Sequence, residues 1–526
     1  MKILIIETID PSGIEILRKN AEVDIKTGQT PEQLKTIIGQ YDALVVRSQT
    51  RVTAEIIDAG EKLQVIGRAG VGVDNINLEA ATRRGILVVN SPEGNIVSTA
   101  EHTIAMLLAL ARRIPQAHNV LRSGVWSREF KGTQVRNKTL GIVGLGRVGT
   151  EVAELARGLR MSVIVYDPMI AEARAERLGI KLVQMETLLK ESDFITVHVP
   201  LNPTTKGLIG EAQLKLVKPT AMIVNCARGG IIDEKALYEA VSQGRLGGAA
   251  IDVYSQEPAK ESILFKSDKI ITTPHIAANT VEAEASSSRD VCEQVVAVLQ
   301  GNPAKSPVNA PMISREALAT LGPYLHVGTM IGRIVVQLME GQFRSINIRY
   351  QGDIATQDTY PIKVAVLAGL LETLTEERVN IVNADMIARG RGLSVTEEKY
   401  AVCENYANMV SVRVVTTTGS TLVSGSALRG KTHLTQVNDY WLEIEPTGSY
   451  MLFTEHKDRP GMIGILGTLI GNADVNISQM QVSRGVQRGG GAMMAICLDE
   501  PLPPETYEEI RNISDMYRAL LVKLTR

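Results

Sequence analysis

Cysteine is scarce in this chain: four in 526 residues, Cys226, Cys292, Cys403 and Cys497, none in a CxxC pair and none at metal-ligand spacing. That pattern excludes a disulfide-stapled fold, gives no reason to expect a metal site, and fits a reducing compartment. An excess of either charge is also missing, with 56 Lys and Arg against 58 Asp and Glu and a formal net charge of −2. Bulk association with nucleic acid or an anionic membrane needs concentrated cationic surface, so neither partner is expected. Any anion site must then be built locally. Long apolar runs are absent too: the longest, around residues 104–111, is far short of the roughly 20 residues that span a bilayer. The N-terminal run meets an acid at Glu7, too early for a signal peptide, and reads as a first strand. A soluble cytoplasmic protein is the expectation.

With 44% hydrophobic and 22% charged residues the composition is that of a globular protein, and the length calls for three or four domains. Residues 1–97 alternate strand-like runs (3–6, 23–25, 43–46, 65–67 and 87–89) with helical ones, which predicts a parallel sheet with crossover helices. A long helix follows over 98–121, with Ser98 as its cap and Glu101 completing a capping box. A second α/β unit begins near residue 140, with strands over 140–143, 162–166, 194–197, 222–226, 249–254 and 270–273. Six parallel strands are what a complete dinucleotide-binding fold requires. A helix over 281–299 can cross back to the first unit, which would make it discontinuous and leave a cleft. The division expected is 1–97 with 284–305 for one lobe and 98–283 for the other. After a Pro- and Asn-rich linker near 301–311 comes an α+β region, 307–445, in which no catalytic constellation is apparent. The last unit, 450–526, has a compact βαββαβ, ferredoxin-like pattern with a turn at Gly489-Gly490-Gly491.

Chemistry concentrates in the first 300 residues. Gly144-Leu145-Gly146-Arg147-Val148-Gly149 lies between a strand and a helix, and Asp167 ends the next strand. That context turns a weak GxGxxG match into a dinucleotide fingerprint, since glycines let backbone N–H groups approach a pyrophosphate at a helix N-terminus. A carboxylate at Asp167 can accept from the ribose hydroxyls and repel a 2′-phosphate, favouring NAD over NADP. Three residues follow successive strands: Arg228, Glu257 and His275. In an open parallel sheet ligands bind outside the carboxyl ends of the strands, so a guanidinium, a carboxylate and an imidazole face the cofactor. A guanidinium grips a carboxylate in bidentate fashion, histidine is a natural general base, and a carboxylate orients it. In the first lobe Arg47-Ser48 ends one strand and Gly70-Val71-Gly72-Val73-Asp74-Asn75 follows another. Either segment can serve an anion or be a packing turn with an ordinary ion pair.

Taken together, Arg47-Ser48-Gln49-Thr50, the glycine-rich turn from Gly70, the fingerprint, residues 225–230, Asp252-Val253, Glu257-Pro258 and Pro274-His275 resemble the D-isomer-specific 2-hydroxyacid dehydrogenases through roughly residues 1–305. The resemblance implies His275 as the acid/base, Glu257 as its partner, and Arg228 as the binder of substrate carboxylate and carbonyl. It implies cofactor positions at Val71, Gly144, Gly146, Arg147, Val148, Gly149, Asp167, Pro200, Cys226 and Asp252, and substrate positions at Arg47, Ser48, Gly70 and Asn95. Residues 307–445 resemble an intervening regulatory domain. The last unit resembles an ACT domain, a module that pairs edge to edge and binds an amino acid, with His456, Asp458 and Asn476 at effector positions. The implied activity is NAD-dependent oxidation of 3-phospho-D-glycerate to 3-phosphohydroxypyruvate by a homodimer or homotetramer, with L-serine as effector. Two alternatives stay open: a dehydrogenase for another D-2-hydroxy acid such as lactate or glycerate, and an NAD(H)-sensing corepressor-like binding protein on the same scaffold.

Overall fold

The computed structural model describes residues 1–313, 315–375, 377–485 and 490–524; Gly489 of the expected glycine turn lies outside them. The first sheet is parallel throughout, in the order Glu22–Ile25, Lys2–Ile5, Ala43–Val46, Val65–Arg68, Leu87–Asn90. The inner strands are short runs rich in Val, Ile and Leu because helices cover both faces, whereas edge strand Glu22–Ile25 alternates acidic and apolar residues. Helix Val281–Leu299 returns to pack on this sheet. Its approach depends on Gly67, where an added Cβ would stand 2.6 Å from Val291 Cγ1.

The second sheet has seven parallel strands, ordered Ile270–Thr272, Gly248–Ile251, Met222–Asn225, Phe194–Val197, Thr139–Val143, Ser162–Tyr166, Lys181–Leu182. The seventh, two residues long at the edge, carries too little pattern to be read from sequence. Chain order reverses between Thr139–Val143 and Phe194–Val197, and that switch point is where a crevice opens. The strand expected over 249–254 stops at Ile251, because the chain from Asp252 turns off to pack on Gly229, whose Cβ would lie 1.8 Å from Tyr254 O.

The single helix expected over 98–121 is two, Ile96–Arg112 and Ile114–Arg122, divided at Arg113 with φ 55°. Pro115 is compatible with a helix only in its first turn, so a new helix has to start there. Ser98 lies inside the first helix rather than at its cap, and its hydroxyl shares a 2.7 Å hydrogen bond with Thr280.

The third region is a six-stranded sheet ordered Ser394–Tyr400, Phe343–Gly352, Asn408–Thr416, Ser420–Leu428, Lys431–Val437, Tyr440–Ile444, antiparallel except for the first pair. Helix Arg315–Leu338 packs on one of its faces, and helix Tyr360–Glu372 packs on that helix and adds its side chains to the same core. Asn380 Nδ2 donates to Gly85 O (2.7 Å) and Arg378 to Leu63 O (2.9 Å), tying this region to the first lobe. The last unit is an antiparallel sheet ordered Ile477–Arg484, Gly491–Leu498, Tyr450–Lys457, Met516–Lys523. Period-two alternation divides its side chains. Leu452, Met494 and Ile496 pack under helices Met462–Asn472 and Pro504–Arg511, while Met451, Phe453, Met493 and Ala495 join the core of the preceding region. No described helix is long and apolar enough to cross a membrane.

Candidate active site

A cleft of about 1860 Å³ between the first two lobes is lined by Arg47, Ser48, Gly70, Val71, Asn95, Val148, Pro200, Cys226, Arg228, Glu257 and His275, among others. On the second lobe His275 Nδ1 stands 2.6 Å from Glu257 Oε2, with both side chains partly exposed to the cleft. The other Glu257 oxygen accepts from Tyr254 N at 3.0 Å, so the carboxylate is fixed from behind. Burial disfavours the charged form of Glu257, but the hydrogen bonds from His275 and Tyr254 outweigh it and hold the carboxyl below its ordinary range. His275 has φ 55°, left-handed backbone that histidine tolerates better than most residues.

Asp252 holds His275 in that position. The resemblance places Asp252 at the cofactor, yet it is wholly buried and its oxygens are taken by Thr273 Oγ1 (2.6 Å), Ile276 N (2.9 Å) and Ala277 N (3.0 Å). Burial raises its pKa, and the bonds from His102, Thr273 and the two amides more than reverse that, leaving it lowered. The structure corrects the expectation: Asp252 acts on the loop carrying His275, not from an open surface. Removing the carboxylate would orphan buried donors at about 1–3 kcal/mol each. Asp252→Ala is therefore expected to lose about 3 kcal/mol or more of stability, read as a lower midpoint in urea. In the native protein this stabilisation is present above the ordinary carboxylate range and fades as pH falls through the lowered value.

Arg228 leaves the strand end on a turn pinned by Asn225, whose amide bonds Arg228 O (3.0 Å) and Ala227 N (3.0 Å). Its Nε lies 3.4 Å from Asp74 of the opposite lobe, and Gly72 makes room for it, since an added Cβ there would meet Arg228 Nη2 at 2.4 Å. On the first lobe Glu7 accepts from the backbone amides of Arg47, Gln49 and Thr50, setting the loop from which Arg47 projects. Arg47 Nη1 holds Glu284 at 2.7 Å.

Sequence reading missed Arg68, at the end of Val65–Arg68. Its guanidinium lines the cleft, and its buried Nε has no hydrogen-bond partner among the described residues. Burial, reinforced by Arg228 and Arg47, pushes its pKa down to about 10. Arginine at the carboxyl end of a parallel strand was the available signal, the same one that singled out Arg47. Glu7 was also missed as a loop anchor.

The residues at the fingerprint fit a dinucleotide. Gly144 has φ 95°, and Gly149 sits so close to it that a Cβ would lie 2.2 Å from Gly144 O. Gly146 precedes helix Arg147–Gly158, which has no side-chain cap, so its first amides are left for an anion. An added Cβ at Gly146 would meet nothing within 4 Å, so the approach is open. Asp167 accepts from Leu145 N (2.8 Å) and Met169 N (2.9 Å); an ionised carboxylate has lone pairs left for hydroxyls. Arg147 faces Glu93 at 3.6 Å. Burial, then the charge of Asp252, pushes the Cys226 thiol up to about 12, which disfavours the thiolate.

The three residues expected at the effector site are not gathered in one way. His456 is 1% exposed with Nδ1 against Ala492 O at 2.9 Å, because its place in strand Tyr450–Lys457 points it into the interior; a contact with an effector at this side chain is corrected. Asp458 pairs with Arg484 at 3.3 Å, and Asn476 Nδ2 donates to Asp499 at 2.6 Å.

Comparison with known proteins defines the class. Residues 104–277 match the NAD binding domain of the D-isomer specific 2-hydroxyacid dehydrogenases. A solved structure of the TT0316 protein from Thermus thermophilus superposes with a TM-score of 0.55 at 33% identity over 59% of this chain and 100% of that one. The D-lactate dehydrogenase of Escherichia coli does so at 0.52, with 27% identity over 59% of this chain and 100% of its own. The remainder narrows the class. Residues 320–438 match the D-3-phosphoglycerate dehydrogenase intervening domain and 450–515 the ACT domain. Proteins named D-3-phosphoglycerate dehydrogenase are 45% identical in Synechocystis, over 99% of this chain and 95% of that protein, and 42% identical in Archaeoglobus fulgidus, over 100% of both. The chain belongs to the D-3-phosphoglycerate dehydrogenase family.

Proposed function

We propose that this chain oxidises 3-phospho-D-glycerate at C2 to 3-phosphohydroxypyruvate, the step that opens L-serine synthesis. The observation that carries the reading is one cleft holding the His275–Glu257 pair at 2.6 Å and four arginines in its lining, Arg47, Arg51, Arg68 and Arg228. A substrate with a carboxylate at one end and a phosphate at the other can engage guanidinium groups from both lobes, Arg228 on one and Arg47 and Arg68 on the other. Lactate, with no phosphate, would leave the buried Arg68 Nε without an acceptor.

The uncapped amides at Gly146, with Asp167, Val148, Val71, Pro200 and Cys226, would hold NAD, which supplies the hydride acceptor when bound. His275 takes the C2 hydroxyl proton through Nε2, since Nδ1 is committed to Glu257, whose carboxylate stabilises the imidazolium that forms. Arg228 grips the substrate carboxylate and polarises the C2 oxygen. Arg47 and Arg68 take the phosphate, Arg47 exchanging Glu284 for it, with Ser48, Asn95 and the Gly70 turn beside them. Arg68→Gln is expected to raise KM for 3-phosphoglycerate about 10–100-fold, the worth of a charge-assisted bond, with little change for D-glycerate. Equal losses on the two would remove Arg68 from phosphate recognition.

The ACT domain is the seat of effector binding, and L-serine is the effector we propose, held through Asp458 and Asn476 rather than the buried His456. Assembly as a homodimer or homotetramer belongs to the same proposal. The decisive experiment follows NADH absorbance with 3-phosphoglycerate, D-glycerate and D-lactate, with and without L-serine. A nucleotide-sensing binding protein would take up NADH without turnover, and a preference for lactate would overturn the substrate assignment.

A further inference from the structure

The six-stranded sheet of the third region has two unlike faces. One is apolar and lies under helix Arg315–Leu338. The other is polar and is overhung by residues 402–405, leaving a concavity of about 490 Å³ far from the cleft in sequence. That size is within the range of small-molecule sites.

Its shape follows from one cross-strand row. Register aligns Glu398, Arg349, Ser411, Ser424, Gln436 and Trp441 across all six strands. The two serines at the centre are 6% and 0% exposed and bond each other at 2.9 Å, while bulky Arg349 and Trp441 stand at either side. Small residues between large ones on a pleated face leave a depression. Above it Trp441, Tyr400 and Val402 remain 45%, 48% and 73% exposed, an apolar rim that the described residues leave open.

Charge decides the ligand. Arg349 is already neutralised by Glu398, which meets both its Nε and Nη2 at 3.0 Å. Arg413, two residues beyond Ser411 on the same strand, bonds Ser420 Oγ at 3.3 Å, and most of its donors are uncommitted among the described residues. Glu404, on the overhanging loop, lines the same space with no partner among the described residues. One free cation and one free anion suit a zwitterion, not the polyanionic substrate of the cleft. Met409, Leu422 and Trp441 supply an apolar surface beside them.

We propose that this concavity is a binding site for an α-amino acid with an apolar or aromatic side chain: carboxylate on Arg413, ammonium on Glu404, side chain against Trp441. The site is separate from the ACT domain, and a small hydroxyl-bearing amino acid leaves its apolar wall uncovered.

The chain's two tryptophans, Trp126 and Trp441, make this measurable. In the full-length Trp126→Phe protein all tryptophan emission comes from Trp441. Titration with L-leucine and L-phenylalanine is expected to give a saturable change below about 1 mM, weakened at least about tenfold by Arg413→Gln, as expected for loss of a charge-assisted bond. Glu404→Gln, on an exposed loop, should weaken it in the same direction and keeps the test open if Arg413→Gln fails to fold. N-acetylated amides of the same amino acids, which lack both charges, should not bind. The proposal is overturned by the absence of a saturable change, by a change undiminished in both variants, by equal binding of the amides, or by tighter binding of 3-phosphoglycerate. A change that depends on protein concentration alone would identify contact with a second copy instead, and would overturn it too. None of these readouts uses turnover.

Discussion

Replacing His275 is expected to cut turnover about 10²–10⁴-fold, the contribution of general acid–base catalysis, while NAD affinity stays near the parent value. The imidazole meets Glu257 at 2.6 Å and faces the cleft, whereas the fingerprint amides open helix Arg147–Gly158 after a different strand. Alanine at φ 55° adds backbone strain of about 1–2 kcal/mol. Asparagine tolerates that conformation, so His275→Asn separates loss of the imidazole from loss of the loop. Both variants should show the same deficit in steady-state kinetics, and fluorescence titration with NADH should be unchanged. Turnover within threefold of the parent in the asparagine variant would remove His275 from the chemistry.

Arg228→Gln should lower kcat/KM about 10²–10⁴-fold, since a bidentate grip on the carboxylate loses two charge-assisted bonds of about 1.5–3 kcal/mol each. Arg228→Lys should recover little, because an ammonium cannot match the planar fork. Both kcat and KM should move, as the same group binds the carboxylate and polarises the reacting oxygen. Stability should hold. The ion pair that Arg228 makes within the protein is with Asp74, whose side chain is 82% exposed and 3.4 Å away, and pairs of that kind are worth about 0–1 kcal/mol. A melting temperature unchanged beside a collapsed kcat/KM is the expected signature. A kcat/KM that falls less than tenfold would sink the assignment.

Both effects concern residues that sequence alone brought forward, and the reason is topological. In a parallel sheet every strand delivers its carboxyl end to the same edge, so residues following successive strands share a site whatever the loop details. Arg228, Glu257 and His275 were legible on that ground, as was the fingerprint. Arg68 meets the same criterion, but the apolar run that marks its strand ends one residue before it; burial of a guanidinium whose Nε has no partner among the described residues is visible only once the lobes face each other. Asp252 went the other way. Its position suggested an exposed cofactor contact, but Thr273, Ile276 and Ala277 converge on it from the next strand end. His456 failed for a similar reason, since the parity of one strand decides whether a side chain faces solvent or the core.

Strand Ser394–Tyr400 escaped notice because its residues are mostly polar and solvent-facing; pairing with Phe343–Gly352 makes it a strand, and that partner is some fifty residues away in the chain. The concavity beside it rests on a row drawn from six strands, a relation no local pattern can encode.

What the amino-acid order determined by itself was the set of elements and the chemistry at their ends, because hydrophobic periodicity, glycine turns and the direction of parallel strands act over a few residues. What only the tertiary structure decided was which charges are left unpaired, which carboxylate faces inward, and where two small side chains leave room between large ones. Those depend on partners distant in sequence, and burial and electrostatics are set by the neighbours that folding supplies.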